Sequence, residues 1–177
     1  QLAVRQVTEN RGKSTPGVDG ELWLTSKIKT EQIYKLKWRS YKAKPLKRVY
    51  IPKSDGKVRP LGIPTMYDRA MQALQKMVLE PIAETLSDQH SYGFRPMRRA
   101  ADAIEYSFNL LSRKDSAQWL LDADIKSCFD RISHEWLINN IPINKRILTQ
   151  WLKAGYIEQG LKHSTNTVSY THLRAHE

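Results

Sequence analysis

Two β-prone runs joined by a tight turn constrain this chain most. Leu46–Ile51 and Lys57–Ile63 flank Ser54-Asp55-Gly56. Asp-Gly between such runs is a good hairpin signal, because both residues tolerate the positive φ that tight turns require. The length of the connection then has chemical consequences, since strand side chains alternate between faces with period two. A two-residue loop at Asp55-Gly56 pairs Lys53 with Val58 and sends Lys53 and Arg59 to opposite faces. A loop with an odd number of residues puts the two cations on one face.

Helical periodicity accounts for most of the remaining chain. Met66–Glu80 carries an apolar stripe of Ala70, Leu74, Met77 and Val78, which Pro81 is expected to end or kink. Residues 97–113 repeat Ala100, Ala103, Ile104, Phe108 and Leu111 at helical spacing. Residues 26–42 read as a basic helix with Ile28, Ile33, Leu36 and Tyr41 inward, and Pro45 prevents its continuation. Ser133 is a suitable N-cap for a short helix, and Ile143–Ala154 is a further helix stopped by Gly155. Residues 1–24 read as irregular, punctuated by Gly12, Pro16, Gly17 and Gly20.

Charge narrows the partners. The net charge is +11, and residues 1–65 hold 15 Lys/Arg against 5 Asp/Glu. Lys35 to Arg59 alone holds ten basic residues and one acid, Asp55. Such a surface attracts phosphate backbones through counterion release. A solvated basic face or a membrane-surface patch are the competing readings, but no broad amphipathic apolar stripe accompanies the charge. No run of about 20 apolar residues suggests a membrane span. The single cysteine, Cys128, suits a reducing, cytoplasmic setting.

Leu120-Leu121-Asp122-Ala123-Asp124-Ile125 reads as part of a strand from Trp119 to Ile125, apolar but interrupted by two acids on one face. A buried carboxylate costs several kcal/mol unless it is paired or metal-bound. Asp124 near a strand end, with Phe129 following, suits two-metal phosphoryl transfer, where hard oxygen donors hold Mg²⁺. Pairing with Lys or Arg, or a solvated face, is the alternative for both acids.

Four segments in order resemble the reverse transcriptases encoded by group II introns. They are Gly17-Val18-Asp19-Gly20; Val49-Tyr50-Ile51-Pro52-Lys53 with Lys57-Val58-Arg59-Pro60-Leu61-Gly62-Ile63-Pro64-Thr65; Ser91-Tyr92-Gly93-Phe94-Arg95-Pro96; and Ala123-Asp124-Ile125-Lys126-Ser127-Cys128-Phe129-Asp130-Arg131-Ile132-Ser133-His134. The resemblance implies that Asp124 is the first metal-binding aspartate and that Ile125 contributes its backbone carbonyl. It implies that Phe129 lies beneath the sugar and excludes a ribose 2′-OH, and that Lys53 and Arg59 grip the triphosphate. That last role needs one face, so the hairpin loop is expected to be odd. Ser91–Pro96 is expected near the template, where Arg95 either meets phosphate or pairs with a nearby acid. Lys44, Lys47 and Arg48 are template or intron-RNA contacts by charge alone. Asp122 matches no catalytic position, and the solvated or paired reading holds for it.

The sequence also departs from that pattern. It contains no Asp-Asp pair, and the Gly- and Gln-containing block that the family carries between its catalytic motifs is absent. The stretch from Leu161 to Glu177 has no clean period and is expected to be non-native or disordered. The i, i+4 pair His172 and His176 within it is read as accidental.

The resulting expectation is an α+β fold: the fingers and first half of the palm of a reverse transcriptase, with helices, a β-hairpin and an incomplete antiparallel palm sheet. Residues 1–118 would form the fingers region, 119–160 the first part of the palm and 161–177 the tail. The parent protein would make DNA on an RNA template from dNTPs and a DNA primer with Mg²⁺, bind its intron RNA and assist splicing as a maturase. This chain alone would be inactive. Two alternatives stay open: a non-catalytic RNA-binding module, and a reverse transcriptase of a retron-type element.

Overall fold

The computed structural model describes residues 1–164 except Lys53, Asp55 and Ser127, and leaves the side chains of Phe129 and Asp130 undescribed. The helices are α1 (Leu2–Glu9), α2 (Ser26–Lys35), α3 (Met66–Leu86), α4 (Ala100–Leu111), α5 (Cys128–Arg131), α6 (His134–Asn140) and α7 (Lys145–Leu152), with a short 3₁₀ turn at Arg11–Ser14. The strands are β1 (Leu46–Pro52), β2 (Val58–Ile63), β3 (Tyr156–Glu158) and β4 (Leu161–His163). The chain divides into two compact units, Gln1–Val78 with the chain from residue 127 onward, and Leu79–Lys126. The expected α+β class is what the protein adopts.

In the first unit, α1 lays Ala3, Val4 and Val7 against Trp23 and the α3 residues Met66, Ala70 and Ala73. A second cluster joins Tyr41 and Met71 to Ile147 and Trp151 of α7. α3 therefore serves two cores at once, with Ala70, Leu74 and Met77 of the expected stripe turned inward and Val78 exposed instead. The sheet has the order β2-β1-β3-β4. β1 pairs with β2 and β3 with β4 antiparallel, whereas β1 and β3 run parallel. This sheet is mixed, not antiparallel throughout. The helix expected over Ile143–Ala154 is the shorter α7, capped at Lys153; Gly155, at φ +74, follows in the turn, and its carbonyl accepts from the backbone N–H of Leu46 at 2.9 Å. This glycine turn thereby delivers β3 to β1.

Several local expectations need correction. Residues 1–24 are not all irregular, because α1 forms without a side-chain N-cap on the strength of its buried face. α2 stops at Lys35 instead of reaching residue 42. The Tyr67 hydroxyl donates to the Lys35 carbonyl at 2.9 Å and accepts from the Lys37 N–H at 3.1 Å, so the backbone leaves the helix there. Tyr41 is buried as expected, but from a loop. Pro81 lies inside α3, which continues to Leu86. A proline there removes one ladder hydrogen bond, and the turns on either side carry the helix past it.

The largest correction concerns Trp119–Ile125, which forms no strand. Trp119 is 93% exposed and Leu121 90%. Alternation alone cannot hold a strand, which needs a neighbouring ladder and a covered face. Among the described residues no strand pairs with it. Conversely, β4 falls in the stretch from Leu161 that was expected to lack structure. Residues 165–177, with His172 and His176, lie outside the described residues.

Candidate nucleotide and nucleic-acid site

The hairpin register places Pro52 opposite Val58, Ile51 opposite Arg59 and Val49 opposite Leu61. Residues 53–57 connect the strands, so the loop is odd, as the triphosphate role of Arg59 requires. Arg59 is half-buried and shares its face with Ile51 and Val49. Lys53 itself lies outside the described residues.

The base of this hairpin is held by the Gly17-Val18-Asp19-Gly20 loop. A Cβ on Gly17 would stand 2.6 Å from Thr65 Cα and 2.7 Å from Thr65 N, so only glycine permits the approach. Gly20 takes φ +70, and Asp19 Oδ1 accepts from the Glu21 N–H at 3.2 Å. Arg69 fixes the preceding turn. The residue is 3% exposed, and its guanidinium donates to the carbonyls of Pro64, Gly12 and Thr15 at 3.0, 2.8 and 2.6 Å. Burial lowers its pKa, and the nearby Asp19 charge opposes that shift.

Asp124 and Ile125 lie in the second unit, in an exposed segment without regular structure. Asp124 Oδ1 accepts a local hydrogen bond, from the Ile125 N–H at 2.9 Å. An exposed carboxylate beside a backbone carbonyl is a hard-oxygen donor set that fits Mg²⁺, which takes one or two carboxylates and fills its other positions with water and phosphate. Among the described residues no group of three His, Cys, Asp or Glu forms a metal cluster. Phe129 lies in α5, and its side chain is outside the description.

The basic candidates have distinct surroundings. Lys44 Nζ pairs with Asp19 Oδ2 at 3.1 Å, and that hydrogen bond raises its pKa. Lys47 is exposed. The Arg48 guanidinium lies 3.9 Å over the Tyr156 ring, and Tyr156 stacks in turn on His163. Arg95 takes the paired role: its Nε and Nη2 donate to Glu84 at 2.9 and 2.8 Å.

Sequence reasoning passed over the buried polar network around Asp68. Its carboxylate accepts from Tyr41 at 2.5 Å and Thr65 at 2.7 Å, and Trp151 Nε1 donates to the Tyr41 oxygen at 2.6 Å. The one signal was local. Thr65 and Asp68 have N-cap spacing at the start of α3, and the Asp68 N–H donates to Thr65 Oγ1 at 3.1 Å.

Comparison with known proteins identifies the family. Residues 51–174 match the family described as Reverse transcriptase (RNA-dependent DNA polymerase), and residues 1–36 match the N-terminal domain of reverse transcriptase. The chain is 35% identical to Group II intron-encoded protein LtrA of Lactococcus lactis over 93% of its own length and 28% of that protein's. It is 37% identical to Protein YkfC of Escherichia coli over 90% of itself and 45% of the relative. A Putative COX1/OXI3 intron 1 protein of Saccharomyces cerevisiae is 31% identical over 89% and 20%. The chain thus spans less than half the length of each. The expected resemblance to group II intron-encoded proteins holds, and this chain belongs to the reverse transcriptase (RNA-dependent DNA polymerase) family.

Proposed function

We propose that the parent protein makes DNA on an RNA template, and binds and helps splice the group II intron RNA that encodes it. The odd hairpin loop carries this reading, because it leaves Arg59 on the face that alternation assigns to position 53. Lys53 and Arg59 would neutralise charge on the triphosphate of an incoming dNTP, and Phe129 would screen the sugar. Asp124 and the Ile125 carbonyl would hold Mg²⁺, which when bound supplies charge stabilisation at the phosphates. Lys44, Lys47, Arg48 and Arg95 are assigned to template, primer or intron-RNA contact, Arg95 by ordering its loop. Residues 1–118 serve as fingers and 119–160 as the first part of the palm.

One aspartate cannot hold both metals of a two-metal site, so the 177-residue chain by itself is expected not to extend a primer. Asp124→Asn in the full-length parent provides the test. Loss of primer extension with RNA binding retained supports the enzyme. Extension at the wild-type rate sinks it, and a parent that binds RNA but never extends a primer leaves a binding module. No described helix is long and apolar enough to cross a membrane, and we place the protein in the cytoplasm with RNA as its principal partner.

A further inference from the structure

The loop joining α2 to β1 has no regular structure, yet side chains from two helices capture its backbone. From α3, the Tyr67 hydroxyl bonds Lys35 O and Lys37 N, and Asp68 Oδ2 accepts from Lys44 N at 3.4 Å. From α7, Arg146 Nη2 donates to the carbonyls of Trp38 and Arg39 at 2.7 and 2.8 Å. Gln150 accepts from Ala43 N at 2.9 Å and donates to Tyr41 O at 3.3 Å. Tyr41 itself is anchored between Asp68 and Trp151. A loop whose polar backbone is so fully met by side chains is held in one shape.

That shape presents cations. Residues 35–44 contain Lys35, Lys37, Arg39, Lys42 and Lys44 and no acid. Lys35 and Lys44 have carboxylate partners, Glu31 at 4.0 Å and Asp19. Lys37, Arg39 and Lys42 are exposed, and no carboxylate among the described residues pairs with them. Two aromatic rings stand among them. Trp38 is 47% exposed with Arg39 lying 5.3 Å over its ring, and Tyr34 is 77% exposed.

We propose that Lys37, Trp38, Arg39 and Lys42, with Tyr34 beside them, form a preorganised site for single-stranded RNA, and that Arg146 and Gln150 are its positioning residues. The choice of RNA rests on the function proposed above; the polyanion and the stacking partner rest on this loop. Fixed cations without counter-charges bind phosphates and release counterions, and exposed rings between them stack bases. A membrane surface fits less well. Ile28 and Ile33 of α2, and Leu36 just after it, pack against the core, so no apolar stripe is left to enter a bilayer.

The test is fluorescence anisotropy of the 177-residue chain with a short labelled single-stranded RNA in EDTA, over a series of salt concentrations. Omitting the metal separates this site from synthesis, so a failed primer extension leaves the result standing. K37A/K42A is expected to weaken binding and to make the salt slope shallower by about 1.4, at about 0.7 for each cation on a single strand. Trp38→Ala keeps the charge and is expected to lose about fivefold or more with the slope unchanged. Gln150→Leu is expected to speed hydrogen exchange at the Ala43 amide and to weaken RNA binding. Lys114→Ala, outside the loop, is the control. Wild-type affinity and slope in K37A/K42A with an unchanged circular dichroism spectrum, or in Trp38→Ala, overturns the proposal. So does binding to phosphatidylserine vesicles in place of RNA.

Discussion

The Tyr41 phenol donates to the Asp68 carboxylate at 2.5 Å in a site where Asp68 is only 3% exposed. Among the described residues its hydrogen-bond partners are Tyr41, Thr65 and the Lys44 N–H, with no cationic side chain. Burial lifts the Asp68 pKa above the ordinary carboxylate range, and those three hydrogen bonds pull it partly back. Tyr41 is also raised, first by burial and then by the Asp68 charge. A raised acid means that the folded state holds the proton more tightly than the unfolded chain. Its contribution to stability is therefore greatest in acid and declines as pH rises through the raised value. Urea unfolding of the wild type against Asp68→Asn should show the wild type losing ground from about pH 4 toward neutrality. A difference independent of pH would contradict the raised pKa.

Gly17→Ala should destabilise the first unit by about 1–3 kcal/mol, the range for forced overpacking. The added methyl meets the backbone of Thr65, which cannot swing aside as a side chain can. Denaturant titration is the measurement, and an unchanged midpoint would show that the loop does not press on Thr65.

Arg95→Lys should loosen the turn after α3. Besides the two bonds that Arg95 makes to the Glu84 carboxylate, its Nη1 donates to the carbonyls of Asp88 and Ser91 at 2.5 and 3.1 Å. An ammonium cannot reproduce that fork. Hydrogen exchange over residues 88–98 should quicken while residues 66–78 stay as protected as before. The hydrogen bond from Arg95 holds the Glu84 carboxyl below its ordinary pKa, so acidification through that lowered value should mimic the variant.

Arg59→Ala in the full-length parent should raise the KM for dNTPs while leaving RNA affinity within about threefold, since one cation among many contributes little to the summed phosphate attraction. Steady-state primer extension and anisotropy measure the two quantities separately. Equal losses in both would move Arg59 from the nucleotide to the nucleic acid.

Features that depend on neighbours along the chain were legible from residue types. Most of the α3 stripe, the Ser133 cap, whose oxygen accepts from the Trp136 N–H at 3.2 Å, the turn at Gly155 and the hairpin all follow from local periodicity and turn chemistry. The four ordered motifs likewise identified the family. Two similar local signals had opposite outcomes. Leu46–Pro52 became a strand because β2 and β3 flank it, while Trp119–Ile125, which also alternates, has no partner strand among the described residues.

By itself, then, the sequence determined most of the helices though not α1, together with the hairpin, the family and the aspartate at which to look for a metal. Tertiary structure alone decided the hairpin register and the Gly17 approach to Thr65. It also set the end of α2 at Lys35, and held the basic loop by residues more than 100 positions away along the chain. The reason is physical. Helical stripes and caps are satisfied within a few residues, whereas a loop's carbonyls and a buried carboxylate are satisfied by whichever side chains the packed core brings to them.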